Sequence, residues 1–399
     1  MLLIYSSGII TIPRVKAFGR VKRILINILL ITIPVLVLLL VAMEIVFRSV
    51  IPASKSPLVY YDEKDNISKL DNRETSDGLF TAGNLAQLRV KWHINGDGFR
   101  SDDEYSTEHK KPLIAVIGDS FVEALQVNMK DTMASKLKEN LSGQYDVYSF
   151  GVNGASLSQY LQMSRYVNRR FNPDILVFNI VHNDFDESLC SMILMSGFMC
   201  LEENGAGFTE AIKPAMASRN KTMVKKFIFE RSALLRYLWV NLSLKRSISS
   251  LPIYNRIFTG GTGKFYNANV DVQRLAGLKQ RLFGVADYLM GKIKEENPNK
   301  KVFFIMDAPR ADIYGGTLDN SSVIWLNRLF MKTCIAHNFH CVDLTEDFYR
   351  RYKATHVHYE SPYDWHWNEH GHESAAEALF NEMKMAGVKD YGVKGDNPP

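Results

Sequence analysis

Between Ile24 and Phe47 the chain reads ILINILLITIPVLVLLLVAMEIVF, a nearly continuous apolar run interrupted only by Asn27, Thr32, Pro34 and Glu44. At a rise of ~1.5 Å per residue, a helix of this length crosses a hydrocarbon layer of about 30 Å. The rival readings are a buried core helix and a cleaved signal peptide. A signal peptide's apolar region runs about 7 to 15 residues and ends at a small-residue cleavage site. No clean A-x-A follows here, so the run predicts an uncleaved transmembrane helix over residues 24–47.

From Pro112 onward the pattern becomes regular. Short apolar runs predict strands at Leu113–Ile117, Tyr145–Phe150, Ile175–Val181, Lys301–Met306 and His340–Asp343. Segments of helical period lie between them. One opens near Asp131 or Thr132 and runs through Ala134, Leu137 and Leu141, and Leu157–Arg170 closes at Asn172 and Pro173. Asp271–Glu296, Val323–Ala336 and Glu369–Met385 complete the set. Strand and helix in alternation predict an α/β fold, a three-layer sandwich around a parallel five-stranded sheet.

Two stretches fall outside this alternation. Residues 48–110 are rich in Pro, Ser, Asp, Asn and Lys, with a strand-like piece at Leu88–Ile94 and a turn-rich INGDGFRSDDEY around Gly96, Asp97 and Gly98. They read as a stalk and lead-in, in which Arg100 either approaches a site or pairs with a local carboxylate. Residues 187–265 form an insertion. Phe198–Ile212 predicts a hairpin turning at Glu203, Asn204 and Gly205. The stretch RNKTMVKKFIFERSALLRYLWVNLSLKRS, with Glu230 as its only acid, predicts a basic amphipathic helix. Such a helix suits an anionic membrane surface, a polyanionic glycan, or simple packing with its basic face in water. The chain thus divides into 1–23, the span 24–47, the lead-in 48–110, a main domain 111–388 carrying the insertion, and a tail 389–399.

The net charge of +5 gives no argument for nucleic acid, because the excess sits at the extreme N-terminus and over residues 219–258. Arg14, Lys16, Arg20, Lys22 and Arg23 precede the span with no acid before Glu44, so the positive-inside rule puts the N-terminus in the cytoplasm and the main domain outside. Of four cysteines, Cys190 can pair with Cys200 and Cys334 with Cys341 across short loops in an oxidising space; four buried thiols are the alternative. No Cys/His spacing resembles a zinc site, His370 and His372 read as the start of the last helix, and no cofactor is implied.

Polar clusters fall at the carboxyl ends of successive predicted strands. The first strand ends in AVIGDSF with Ser120, the second leads into FGVNGAS with Gly154, the third ends in HND with Asn183, and YDWHWNEHGHES carries Asp364 and His366. Open α/β sheets place ligands at that end. A serine hydroxyl needs a base to become a nucleophile, and His366 would serve. Residues two apart on extended chain face the same way, so Asp364 can reach the far imidazole nitrogen. Asp119 and His182, beside the serine and the asparagine, are possible substrate contacts.

In order and in type, these four blocks resemble the SGNH branch of the GDSL hydrolases, over about residues 112–385. The resemblance implies Ser120 as nucleophile, and Ser120, Gly154 and Asn183 as donors of an oxyanion hole. Val181 stands where the third block usually has glycine. The phrase Asp-x-His-Trp at 364–367 further resembles esterases and acetyltransferases that modify exported bacterial polysaccharides. The expected protein is therefore a membrane-anchored extracytoplasmic serine esterase, by default in a bacterial inner membrane facing the periplasm, acting on an ester-bearing glycan or lipid. An O-acetyltransferase, a lipid esterase and a catalytically idle glycan-binding or assembly protein are the alternatives. Asn66 and Asn241 lie in sequons that would matter only in a eukaryotic secretory pathway.

Overall fold

The computed structural model describes residues 22–23, 26–193, 195–205, 207–214, 229–242 and 266–388. Five parallel strands make the central sheet: β1 (Leu113–Gly118), β2 (Asp146–Gly151), β3 (Ile175–Ile180), β4 (Lys301–Met306) and β5 (His340–Asp343). Their spatial order is β2-β1-β3-β4-β5, all neighbours parallel. The chain therefore reverses its winding between β1 and β3. That switch point opens a crevice at the carboxyl ends of those two strands, directly after Gly118 and Ile180.

Both faces of the sheet are covered, which is why its strands read as unbroken apolar runs rather than as alternation. Leu113, Ala115 and Ile117 of β1 face one side, with helices α2 (Leu157–Phe171), α3 (Lys279–Glu296) and α4 (Ile324–Ala336). Ile114 and Val116 face the other, with α1 (Met133–Asn140) and α5 (Glu369–Met385). The caps match the chain's own signals: the Thr132 side chain accepts from Ser135 N–H, and Asn368 accepts from Gly371 N–H at the head of α5. Asn172 takes a left-handed conformation after α2, ahead of Pro173.

Several expectations change in detail. The long helix expected over Asp271–Glu296 is broken at Gly277, leaving Val272–Ala276 and α3 as separate pieces. Gly277 is a poor helix former and ends the first piece, and Leu278, which is buried, stands at the N-terminal boundary of α3. Short helices at Ser120–Glu123, Arg310–Gly315 and Thr345–Thr355 were not legible in the pattern.

The lead-in is more than a stalk. It forms two antiparallel hairpins, Val59–Asp62 with Ile67–Leu70 and Asp77–Ala82 with Leu88–His93. Ile67, Leu70, Trp92, Ile94 and Phe99 from this segment are buried in the same core as α2 and α3. The hairpin expected in the insertion is present, Met199–Asn204 pairing with Gly207–Ile212. Both cysteine pairs are bridged, Cys190 to Cys200 and Cys334 to Cys341.

Near the N-terminus, Ile28–Ser49 is a single apolar helix with none of its most hydrophobic window buried in the protein. Its Ile28–Thr32 turn is wider than an α-helix. Pro34, which has no N–H to give, follows at once. Of the basic amphipathic helix expected in the insertion, only 229–242 lies among the described residues. There, Ala233–Arg236 continues into a wider turn through Asn241.

Candidate active site

The loop after β1 is built so that Ser120 stands at the switch-point crevice. Asp119 caps the Ser120–Glu123 turn, its carboxylate accepting from Phe121 N–H at 2.8 Å. The turn packs flat against β2 because residue 151, paired with Gly118, is glycine: a Cβ there would lie 2.1 Å from the Glu123 nitrogen. Arg100 holds the turn from behind. Its buried guanidinium donates to the carbonyls of Glu123 and Ala124 and, at 2.8 Å, of Val127. It thus neither enters the cleft nor pairs with a neighbouring carboxylate; it satisfies the carbonyls that a short helix leaves unpaired.

His366 and Asp364 come from the loop before α5. Glu360 bridges to Trp367, and Ser361 N–H donates to the His366 carbonyl at 2.8 Å. Trp367 is fully buried and its indole N–H donates to Asp307, just past β4, at 2.8 Å. Arg310 donates to the other Asp307 oxygen and to the Trp365 carbonyl, at 2.9 and 2.6 Å. The loop is therefore anchored on both sides of the imidazole.

The result is a relay. Ser120 Oγ lies 2.8 Å from His366 Nε2, and His366 Nδ1 lies 3.2 Å from Asp364 Oδ2. The serine proton has a second acceptor, Asp119 Oδ2, at the longer distance of 3.2 Å. Gln126, not singled out from sequence, donates through Nε2 to Asp364 Oδ2 at 2.8 Å and sits 3.1 Å from His366 Nδ1. With Nε2 accepting from the serine, Nδ1 carries the proton and aims it at Asp364, so the amide hydrogen of Gln126 goes to the carboxylate. Burial works to raise the Asp364 carboxyl, but the hydrogen bonds and charge of His366 outweigh it and hold it below its usual range. Burial also works against a charged His366, and Asp364 reverses the balance, holding the imidazole above its ordinary value.

A cavity of about 340 Å³ opens over Ser120 and His366. Its walls come from three parts of the chain: Phe80 and Ala82 of the lead-in hairpin, Trp239 and Val240 of the insertion, and Tyr363 beside the histidine loop. Glu123 and Asn153 also line it, and Glu123 accepts from Asn153 N–H at 2.8 Å. Burial pushes the Glu123 carboxyl up to about 7 and that of Asp119 up to about 6.

Other expected site residues are placed differently. Gly154 has a left-handed φ of +80° and lies against Met195 and Phe198. The Asn183 amide donates to Glu187 Oε2 at 3.1 Å, while its own oxygen is buried without a partner. Neither is part of the cavity wall; Asn153 is, one residue before Gly154. His182 is buried and does not line the cavity, its Nε2 lying 2.9 Å from Asn327 Oδ1. Asp119 is likewise occupied by the turn it caps. His372 is buried at the start of α5 and receives Met133 N–H.

A hydroxyl bonded to a base that is itself oriented by a carboxylate is the arrangement of serine acyl-transfer chemistry. Residues 114–235 match the family described as GDSL-like Lipase/Acylhydrolase. Over that segment the protein carries a GDSL-like lipase/acylhydrolase domain, and the enzyme class of such a domain is that of a serine ester hydrolase.

Among solved structures, similar ones include a lipase/acylhydrolase from Enterococcus faecalis, at 14% identity and TM-score 0.36, with 69% of this chain and 96% of that one covered. An acetyl xylan esterase shares 14% identity at TM-score 0.37, covering 67% and 98%. A two-domain esterase active on acetylated mannans shares 9% at TM-score 0.38, covering 71% and 51%. A comparison with curated proteins gives no match.

Proposed function

We propose that this protein is a membrane-anchored serine esterase whose catalytic domain lies outside the cytoplasm and which removes acetyl or other short acyl groups from cell-surface carbohydrate. The observation that carries the reading is the 2.8 Å contact between Ser120 Oγ and a His366 already held by Asp364. In the first step His366 takes the serine proton as Oγ attacks the ester carbonyl. The imidazolium then returns that proton to the departing alcohol, leaving an acyl-serine. Water, activated by the same nitrogen, releases the acid. Negative charge on the carbonyl oxygen calls for donors near Ser120, Gly154 and Asn183, so Asn183 would exchange Glu187 for the oxyanion. Loss of one such donor is worth about 10² to 10³ in turnover.

The small cavity suits a short acyl group. Trp239 and Tyr363 offer faces for a sugar ring, and Ser56, Gln126 and Asn153 offer hydrogen bonds. Retention of the N-terminal helix is supported by its contacts with the folded domain through Glu44 and Phe47. The charge pattern before residue 24 supports a cytoplasmic N-terminus. The test is hydrolysis of a chromogenic acetyl ester by the purified full chain. Ser120→Ala is expected to abolish turnover and fluorophosphonate labelling with the fold preserved; residual turnover at the native rate would end the reading. An acyltransferase would share every step to the acyl-serine and differ only in its acceptor. It predicts faster acyl release when an acceptor glycan is added.

A further inference from the structure

The wall of the catalytic cavity is fastened to the end of the N-terminal apolar helix. Glu44, in the last turns of that helix, accepts from Ser232 Oγ, Ala233 N–H and Leu234 N–H at 3.0, 2.8 and 2.9 Å. It thereby caps the very helix that carries Trp239 and Val240 into the cavity. Three residues further along, Phe47 stacks on Tyr237 with ring centroids 3.8 Å apart. The Tyr237 hydroxyl donates to the Asn84 carbonyl in the turn of the lead-in hairpin. Asn241 completes the joint, accepting from Ser54 N–H at 3.0 Å and donating to Thr81 Oγ1 at 2.9 Å.

With Leu234, Tyr237 and Asn241 turned inward, Leu235 and Trp239 are left on the outer face, 40% and 50% exposed. Leu85 is 60% exposed beside Asn84, and Val50 is 67% exposed where the apolar helix ends. Arg48 and Arg231 are exposed at the same junction. Apolar side chains, a tryptophan and arginines gathered at the end of a span make up the composition of a bilayer interface. Trp239 belongs to both surfaces, cavity and exterior, so the mouth of the cavity lies on this rim.

Resting on the esterase and anchor reading above, we infer that the joint holds the cavity mouth in the headgroup layer, and that the ester reaching Ser120 is carried by a membrane-resident molecule. A freely diffusing substrate would gain nothing from the rim. A lipid-borne one would arrive already confined to the plane in which the mouth lies.

The full chain reconstituted in phosphatidylglycerol and phosphatidylethanolamine vesicles tests this with two esters of identical reactive group, para-methylphenyl acetate and para-dodecylphenyl acetate. Acetate release from the tailed ester is expected to exceed that from the tailless one by at least about tenfold in kcat/KM. Leu235→Asp with Leu85→Asp, neither of which lines the cavity, is expected to remove that gain while leaving hydrolysis of para-methylphenyl acetate unchanged. Equal kcat/KM for the two esters, or a gain that survives the double substitution, would overturn the inference while the esterase reading stood. No release of either acetate above the Ser120→Ala background would overturn both.

Discussion

Two acids beside the nucleophile, Asp119 and Glu123, are buried and held above their usual range. In the unfolded chain they ionise near 4, so between that pH and their folded values the native state binds the extra protons. Stability therefore falls as pH rises through this window. Glu123→Gln removes one such cost while its amide oxygen can still accept from Asn153 N–H. It is expected to raise stability at pH 8 by roughly 2 to 3 kcal/mol and to change it little at pH 4, read from urea midpoints at the two values. A second consequence concerns the base. Asp364 holds the His366 imidazole above its ordinary value, so the native acid limb of kcat/KM should lie above that of a free histidine. Asp364→Asn should move that limb to lower pH, because the imidazole then loses the carboxylate that raises it while burial and the Arg310 charge still work against its protonated form, and should lower kcat by about 10⁴. A limb that stays in place would mean that it reports another group.

At the scale of elements, the short turns about the catalytic residues depend on side chains from distant segments. Arg100 answers three carbonyls of the nucleophile loop from the lead-in, and Arg100→Ala leaves them buried and unpaired. The substitution is expected to cost about 3 kcal/mol in urea unfolding and to lower kcat through a displaced Ser120. The five strands, α1, α2, α4 and α5 were legible because the sheet is covered on both faces and its helices have one apolar side. The Asp364, His366 and Ser120 convergence was legible because each sits beside a strand end or helix start. Gln126 was not, since nothing local marks a glutamine that will meet a loop 238 residues away. Asn183 comes from the match of its motif and His182 only from its place beside Asn183. Strand register and the nearby acids Glu187 and Asp184 decide where such side chains point, and neither is visible in a short motif.

At the scale of the molecule, among the described residues the lead-in belongs to the core of the main domain. A chain beginning at residue 111 would lack Ile67, Trp92, Phe99 and Arg100, each nearly or fully buried. That truncation is expected to give an aggregated or molten product, whereas one beginning at residue 48 retains the core and should show a cooperative thermal transition by near-ultraviolet dichroism.

The 246 residues that separate Ser120 from His366 also set a timetable. Ser120, in the turn after β1, is among the early parts of the domain to leave the ribosome, and the histidine loop is among the last. Until the loop before α5 brings His366 to Ser120, the serine has no base and is as inert as any surface hydroxyl. A nascent chain halted anywhere before that loop would carry the nucleophile through synthesis without acylating it, so that reactivity begins only when the fold is finished.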